Sequence, residues 1–410
     1  MRILHLSHDG LPDWRVEKAA LASSKQGYEV FFAGKKVAGG YDTSKIFNQA
    51  YEINWTAKAL YGIPYYWHSV RSQLARILKQ VRPDVVHAHN LFSAKLAQDL
   101  GEHFVYDDHE SWSKHSLLLG EMEEKATAAQ QQQQYISSAN GSGSSGSSLV
   151  HSIRSMAART KRTAVNRHAT SLWTKWEKDV LGSSAATITV SNRIARELRL
   201  ASGNNNNARV VVVPNYPTRQ ETSGLDRPRY LDRLSSVYSG SDGQSNGAKL
   251  PNRNMDGLYD LFDSNDNNSN TGRLTILGWQ QDADPSSRVR FSGFLSRKEM
   301  FKEMSNHSIG LLPWKRHWSH YFVNPNKVYE YAHAGLHVMC TSSFETVIET
   351  LQGNCSTFDN YEDLASQLEY YNENMDELYE KRARTFEFAH SNLVWENFEP
   401  EILRSYQLTG

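Results

Sequence analysis

Three short stretches gather residue types able to do chemistry: HAHN at 87–90, YDDHE at 106–110 and NKVYE at 326–330. Asp107, Asp108, His109 and Glu110 bring carboxylates and an imidazole to the predicted carboxyl end of an apolar strand over 104–107, where open α/β sheets bind ligands. Such groups can move protons near neutral pH or orient a hydroxyl; a solvated loop is the plain alternative. His87 and His89, two apart on a predicted strand, point to the same side. With His109 they could ligate a metal, but no further ligand spacing follows, so no metal is expected there. Lys327 and Glu330 fall in the first two turns of a predicted helix. Its unpaired N–H groups and partial positive charge suit a phosphate, and a carboxylate one turn in can accept hydrogen bonds from hydroxyls.

The elements that must position these residues are read from periodicity. Val328, Tyr331, Ala332 and Gly335 recur at helical spacing, with Asn324 as the expected N-cap and Pro325 at the first helical position. Gly335 ends that helix, and 336–340 is a short buried strand. At the N-terminus a strand over 2–7, a His8-Asp9-Gly10 turn, a helix over 15–26 and a strand over 28–33 make a βαβ start. Gly10 is a lone glycine that lets a ligand approach the backbone. A helix over 67–81 and strands over 84–88 and 104–107 follow.

Strands are also expected at 185–190, 210–215, 235–240, 273–278, 288–293, 308–312 and 355–358, with helices between them and on to about 406. This repeated alternation predicts an α/β protein of two Rossmann-like domains, 1–213 and 214–390, with residues 391–410 forming a terminal helix that returns to the first. The glutamine run and GSGSSGSS of 121–148 read as a disordered insertion. The helical stretch 149–181 carries Arg154, Arg159, Lys161, Arg162 and Arg167, so a basic helix over 150–168 could touch an anionic membrane surface, although a plain solvated face is the simpler reading.

Composition narrows the function. Lysine plus arginine equals aspartate plus glutamate, 45 each, so no global basic field exists to hold nucleic acid. Cys340 and Cys355 are the only cysteines, which argues against a disulfide framework and for a reducing cytoplasm. No leader or membrane span is expected, leaving a soluble or peripheral protein.

PNKVYEYAHAGLHV at 325–338 closely resembles the donor-site motif of GT-B glycosyltransferases of family 4 (group 1), and YDDHE resembles that family's YDAHE. The resemblance implies two Rossmann-like domains facing a central cleft, a nucleotide-sugar donor, a retaining hexosyltransferase-like reaction in glycan biosynthesis, and no cofactor or essential metal; Asp107-Asp108 is not the DxD motif of the GT-A class. It further implies catalytic roles for His109 and Glu330. Donor contacts are implied for Glu330 (ribose), Lys327, Asn326, Gly10 and Arg253, the last matching the family's basic residues after a YSG-type strand. Asp13, Arg15, His89 and Glu110 become acceptor-side candidates, the acceptor being a glycan, a lipid-linked sugar or a small molecule. Phe322 stands where the family often has an earlier Glu, and His337 where it usually has Pro. Two other readings of the same fold stay open: a catalytically weak scaffold and a sugar-nucleotide epimerase.

Overall fold

The structure, a computed structural model, describes residues 1–122, 125, 147–202, 209–241, 243–245, 248–263, 270–282, 284 and 286–408, and at 147–163, 244, 245 and 248 the backbone alone. Most of the expected insertion, and the side chains of 150–163 in the expected basic helix, lie outside the described residues. The chain forms two compact units, Met1–Val213 with Glu399–Gly410 and Pro214–Phe398.

In the first unit the strands are β1 (Arg2–Ser7), β2 (Glu29–Gly34), β3 (Gln49–Glu52), β4 (Val85–His89), β5 (Phe104–Asp108), β6 (Ala186–Thr189) and β7 (Val210–Val212). They form one parallel sheet in the order β3-β2-β1-β4-β5-β6-β7. The apolar runs of β1, β2 and β4 are buried along almost their whole length, as strands covered on both faces must be. Helices α1 (Trp14–Lys25), α2 (Ala57–Leu60), α3 (Pro64–Val81) and α4 (Asn90–Asp99), with α5 over 112–122, connect the early strands. The helical stretch expected over 149–181 is a single helix, α6 (Ser147–Ser183). Trp173 and Trp176 on α6 pack edge-on to Phe92 of α4. After β6 comes α7 (Asn192–Ala201).

The second unit repeats the plan. Strands β8 (Ser235–Ser239), β11 (Arg273–Leu277), β12 (Val289–Phe291), β13 (Ile309–Leu312), β14 (His337–Thr341) and β15 (Cys355–Phe358) form a parallel sheet in the order β12-β11-β8-β13-β14-β15. A small hairpin, β9 (Gln244–Ser245) with β10 (Ala248–Lys249), occupies part of the polar stretch after β8. Helices α8 (Leu258–Asp263), α9 (Arg297–Met304), α10 (Asn326–His333), α11 (Glu345–Leu351), α12 (Tyr361–Glu373) and α13 (Met375–Asn392) complete the unit, and α14 (Glu399–Gln407) returns to the first. Each sheet anchors its own core, Leu4, Val86 and Phe104 in one and Val237, Ile276, Leu311 and Val338 in the other.

The terminal segment divides at Glu399 rather than 391. Residues 391–398 stay with the second unit because the Trp395 N–H donates to the Pro217 carbonyl at 3.0 Å and Phe398 packs edge-on to Tyr216. The helix start expected at Asn324 also moves. Helix α10 begins at Asn326 with Pro325 as its cap residue, and the Asn324 carboxamide instead accepts the Tyr329 hydroxyl proton.

Candidate functional sites

Both sheets reverse strand order once, between β1 and β4 in the first unit and between β8 and β13 in the second. In open parallel sheets the crevice outside the carboxyl ends at this reversal is where ligands bind. The residues singled out from sequence fall at these two places.

In the second unit, α10 is seated over the reversal by Tyr331. Its ring lies against Gly310 of β13, where any Cβ would come within 2.4 Å of it, and its hydroxyl accepts the Ser239 N–H at 2.8 Å. This docking brings the first turn of α10 to the end of β8. Lys327 Nζ rests over the rings of Trp314 at 4.5 Å and Tyr238 at 4.7 Å and is 3.4 Å from the Tyr238 hydroxyl. Gly240 leaves room for it, since a Cβ there would meet Nζ at 2.6 Å, and its φ of +150° disfavours other residues. The Arg253 guanidinium lies 5.2 Å from the Trp314 ring and donates to the Ser241 hydroxyl at 3.4 Å. Neither cation forms an ion pair among the described residues. Burial, and then the charge of Arg253, pushes Lys327 down to about 7. The turn carrying Arg253 is held by His320, whose Nε2–H donates to the Asn252 carbonyl at 2.7 Å.

Glu330 is not an isolated carboxylate. Arg297, at the start of α9, donates to its Oε1 at 2.5 Å and to Glu221 at 2.6 Å. The pairing fixes the carboxylate and leaves Oε2 without a hydrogen bond among the described residues. Sequence reading missed Arg297, Glu221, Trp314, Tyr238 and His320, because each acts through a partner tens of residues away. Asn326 is exposed at the first position of α10. Phe322 packs against Tyr321 and Trp318, and His337 is a buried strand residue beside Ser356.

In the first unit the register sets His5 of β1 beside His87 of β4, and His89 of β4 beside Asp107 of β5. The His5, His87 and His89 rings stack, the closest pair being His87 and His89 at 4.3 Å. His5 Nδ1 lies 3.0 Å from His89 Nε2, and His89 Nδ1 lies 3.2 Å from His109 Nε2. Asp107 sits at the centre, with Oδ2 at 3.2 Å from His87, 3.4 Å from His89 and 3.3 Å from His109. Helix α14 closes the cluster from the far side, its Tyr406 hydroxyl 2.7 Å from His87 Nδ1.

Electrostatics follow from this packing. Burial alone would raise Asp107, but Arg15, His109 and the hydrogen bonds hold it well below the usual carboxylate range. Its neighbour Asp108 is pushed up to about 7 by burial and then by the charge of Glu177, against the opposing hydrogen bond from Tyr106 and the charge of His109. Burial and adjacent imidazoles hold His5 and His89 well below the usual histidine value.

Several site expectations in the first unit change here. Arg15 is buried, donating from Nε and Nη2 to Asp107 and from Nη1 to the Val213 carbonyl at 2.8 Å, so it is committed to the interior. Asp13 caps α1, accepting the N–H groups of Arg15 and Val16 at 2.9 and 3.2 Å. His89 is wholly buried, leaving His109, with 12% of its side chain exposed, as the cluster's accessible edge. Glu110 is exposed beside it. The missing side chain of Gly10 is explained by the Lys36 carbonyl, which a Cβ would approach to 2.5 Å, rather than by a ligand.

Two Rossmann-like units, each with a polar constellation at the reversal of a parallel sheet, define the GT-B fold, and solved structures share it along the whole chain. Sucrose-phosphate synthase from Thermosynechococcus elongatus aligns with a TM-score of 0.68 at 10% identity, covering 99% of this chain and 98% of that one. Anabaena HepE in complex with UDP aligns at 0.64 and 10% identity, covering 99% and 100%. HepE in complex with UDP-glucose aligns at 0.60 and 11% identity, covering 99% of each. No curated protein matches the sequence significantly. Residues 16–216, most of the first unit, match the family model of Glycosyltransferase Family 4. No helix among the described residues is long and apolar enough to cross a membrane.

Proposed function

We propose that this protein is a family 4 glycosyltransferase that transfers a sugar from a nucleotide-sugar donor, with retention of configuration, to a glycan, lipid-linked or small-molecule acceptor. The observation that carries the reading is the pair of cations, Lys327 and Arg253, without ion-pair partners around Trp314 at the sheet reversal of the second unit. Structural carboxylate partners are normally found for buried cations. A cation left unpaired in this position suits a ligand that supplies the negative charge. A donor diphosphate does so, and its charge grows when the sugar leaves, so the same cations and the N-terminus of α10 stabilise the leaving group with no metal required.

Glu330, held by Arg297, takes the ribose hydroxyls through Oε2, and Asn326 adds a polar group at the helix start. His109, its imidazole oriented by Asp107 and His89, is the residue proposed to act on the transferred sugar, with Glu110 as the acceptor-side carboxylate. HepE was solved with UDP and UDP-glucose, so uridine diphosphate sugars are the first donors to test. We place the protein in the cytoplasm on the strength of its unpaired cysteines, with peripheral membrane contact through 150–168 as part of the same proposal.

The test is a panel of nucleotide sugars screened by thermal shift and then by release of nucleoside diphosphate with candidate acceptors. A ligand at a hundred times its dissociation constant stabilises by about 2.7 kcal/mol, enough to read in a melt. Binding of one donor class with acceptor-dependent release supports the proposal. Acceptor-independent interconversion of the free nucleotide sugar would favour an epimerase, and binding without any turnover a scaffold.

A further inference from the structure

The histidine cluster of the first unit contains a triangle whose three edges cannot all be hydrogen bonds at once. His89 Nδ1 and His109 Nε2 are 3.2 Å apart, His89 Nδ1 and Asp107 Oδ2 3.4 Å, and His109 Nε2 and Asp107 Oδ2 3.3 Å. Three mutual contacts of this length need a proton on every edge. If only one of the two nitrogens carries hydrogen, the other nitrogen and the carboxylate face each other with lone pairs. If both carry hydrogen, both donate to the carboxylate and the two donors crowd side by side at 3.2 Å. No choice of tautomers turns all three edges into hydrogen bonds.

A cation at the centre removes the conflict, because all three atoms then present lone pairs to it. The dimensions fit. Tetrahedral bonds of about 2.0–2.1 Å give ligand-to-ligand edges of about 3.3–3.4 Å, the geometry of zinc bound by imidazole and carboxylate. We propose that His89, Asp107 and His109 form a binding site for a zinc-like transition-metal dication, with the fourth position open on the side where His109 is accessible. Two imidazoles and one carboxylate select such an ion over magnesium or calcium, which prefer all-oxygen shells.

The surroundings supply the supports such sites use. His5 Nδ1, 3.0 Å from His89 Nε2, can accept a hydrogen bond from that N–H and so leave His89 Nδ1 free to ligate. Arg15 and His87 hold the Asp107 carboxylate in place. His87 itself is a poor ligand, since it stacks on His89 with the ring planes 10° apart and its lone pairs run parallel rather than converging. Arg15 offsets the carboxylate charge, which leaves the occupied site cationic and favours an anion or hydroxide at the open position. Metal binding would engage His109 Nε2; if His109 acts on the sugar as proposed above, the ion inhibits transfer rather than assisting it.

The experiment is titration of the full-length, EDTA-treated protein with Co²⁺, read by the intense visible absorption of tetrahedral cobalt, followed by displacement with Zn²⁺. One equivalent is expected to bind with a tetrahedral spectrum, unaffected by excess Mg²⁺. Loss of a supporting residue alone lowers metal affinity about 10–100-fold, so His109→Ala, which removes a ligand, should weaken binding by at least about a hundredfold. His109 lies at the rim, so that variant should remain folded, as circular dichroism can verify; His68→Ala, on the exposed face of α3, should bind as the parent does. Absence of saturable binding, an octahedral spectrum, or binding that survives His109→Ala would overturn the proposal.

Discussion

Lys327 offers the sharpest test of the donor site. Its Nζ contacts two aromatic faces and a phenol oxygen but no carboxylate, and burial with the nearby Arg253 pushes it down to about 7. Replacing it with methionine keeps the stem packed on Tyr238 and Trp314 while removing the charge. A hydrogen bond to a charged group contributes roughly 1.5–3 kcal/mol, so Lys327→Met should weaken binding of a UDP-sugar by about 10- to 150-fold. Binding requires the ammonium form, whereas the free protein is half neutral near pH 7. Above that pH the affinity of the parent protein should therefore fall about tenfold per unit, until the bound-state pKa is reached, with proton uptake on binding. In Lys327→Met both the slope and the uptake should vanish. Calorimetry in buffers of different ionisation heat measures both, and UDP-glucose is a suitable titrant because its diphosphate does not titrate in this range. Uridine, which lacks the diphosphate, should show neither effect. Equal UDP-glucose affinities for the two proteins, or an equal loss for uridine, would refute the assignment.

Four further outcomes follow from the same geometry. Glu330→Ala should weaken nucleotide binding by about 10- to 100-fold yet leave the fold intact, because Arg297 keeps Glu221 as a partner; a ligand lacking the ribose hydroxyls should not distinguish the two proteins in calorimetry. His109→Ala should lower turnover far more than it weakens UDP binding, and an unchanged turnover number would make His109 structural. Arg15→Met strands the buried Asp107 carboxylate and should cost about 3–5 kcal/mol in urea unfolding. Because Asp107 is depressed in the folded state, the parent should lose this stability as pH falls below about 4, and the variant should show a smaller acid limb. Activity should survive EDTA, and loss on chelation that Mg²⁺ or Mn²⁺ restores would contradict the role given to Lys327 and Arg253.

Sequence periodicity carried the two sheets well, because buried parallel strands are short apolar runs and each is bounded by glycine or a polar turn. The helix carrying Lys327 and Glu330 was legible for the same reason, although its first residue was not: Asn324 looked like a cap, and only the packing of Tyr329 shows why its side chain turns elsewhere. Partnerships were the illegible part. Arg15 and Asp107 are ninety-two positions apart, and Arg297 and Glu330 thirty-three, so nothing local marks either pair. The histidines show the same limit. His87 and His89 are visibly on one face, but His5 joins them only once β1 pairs with β4, and the triangle with Asp107 and His109 needs β5 in register as well.

The central claim is that the sheet reversal of the second unit holds a nucleotide-sugar donor, and a crystal structure of the protein soaked with UDP tests it most directly. The account predicts the diphosphate within hydrogen-bond reach of Lys327 and Arg253 and the ribose hydroxyls on Glu330 Oε2. A nucleotide bound elsewhere, or one whose diphosphate leaves both cations on Trp314 untouched, would contradict it.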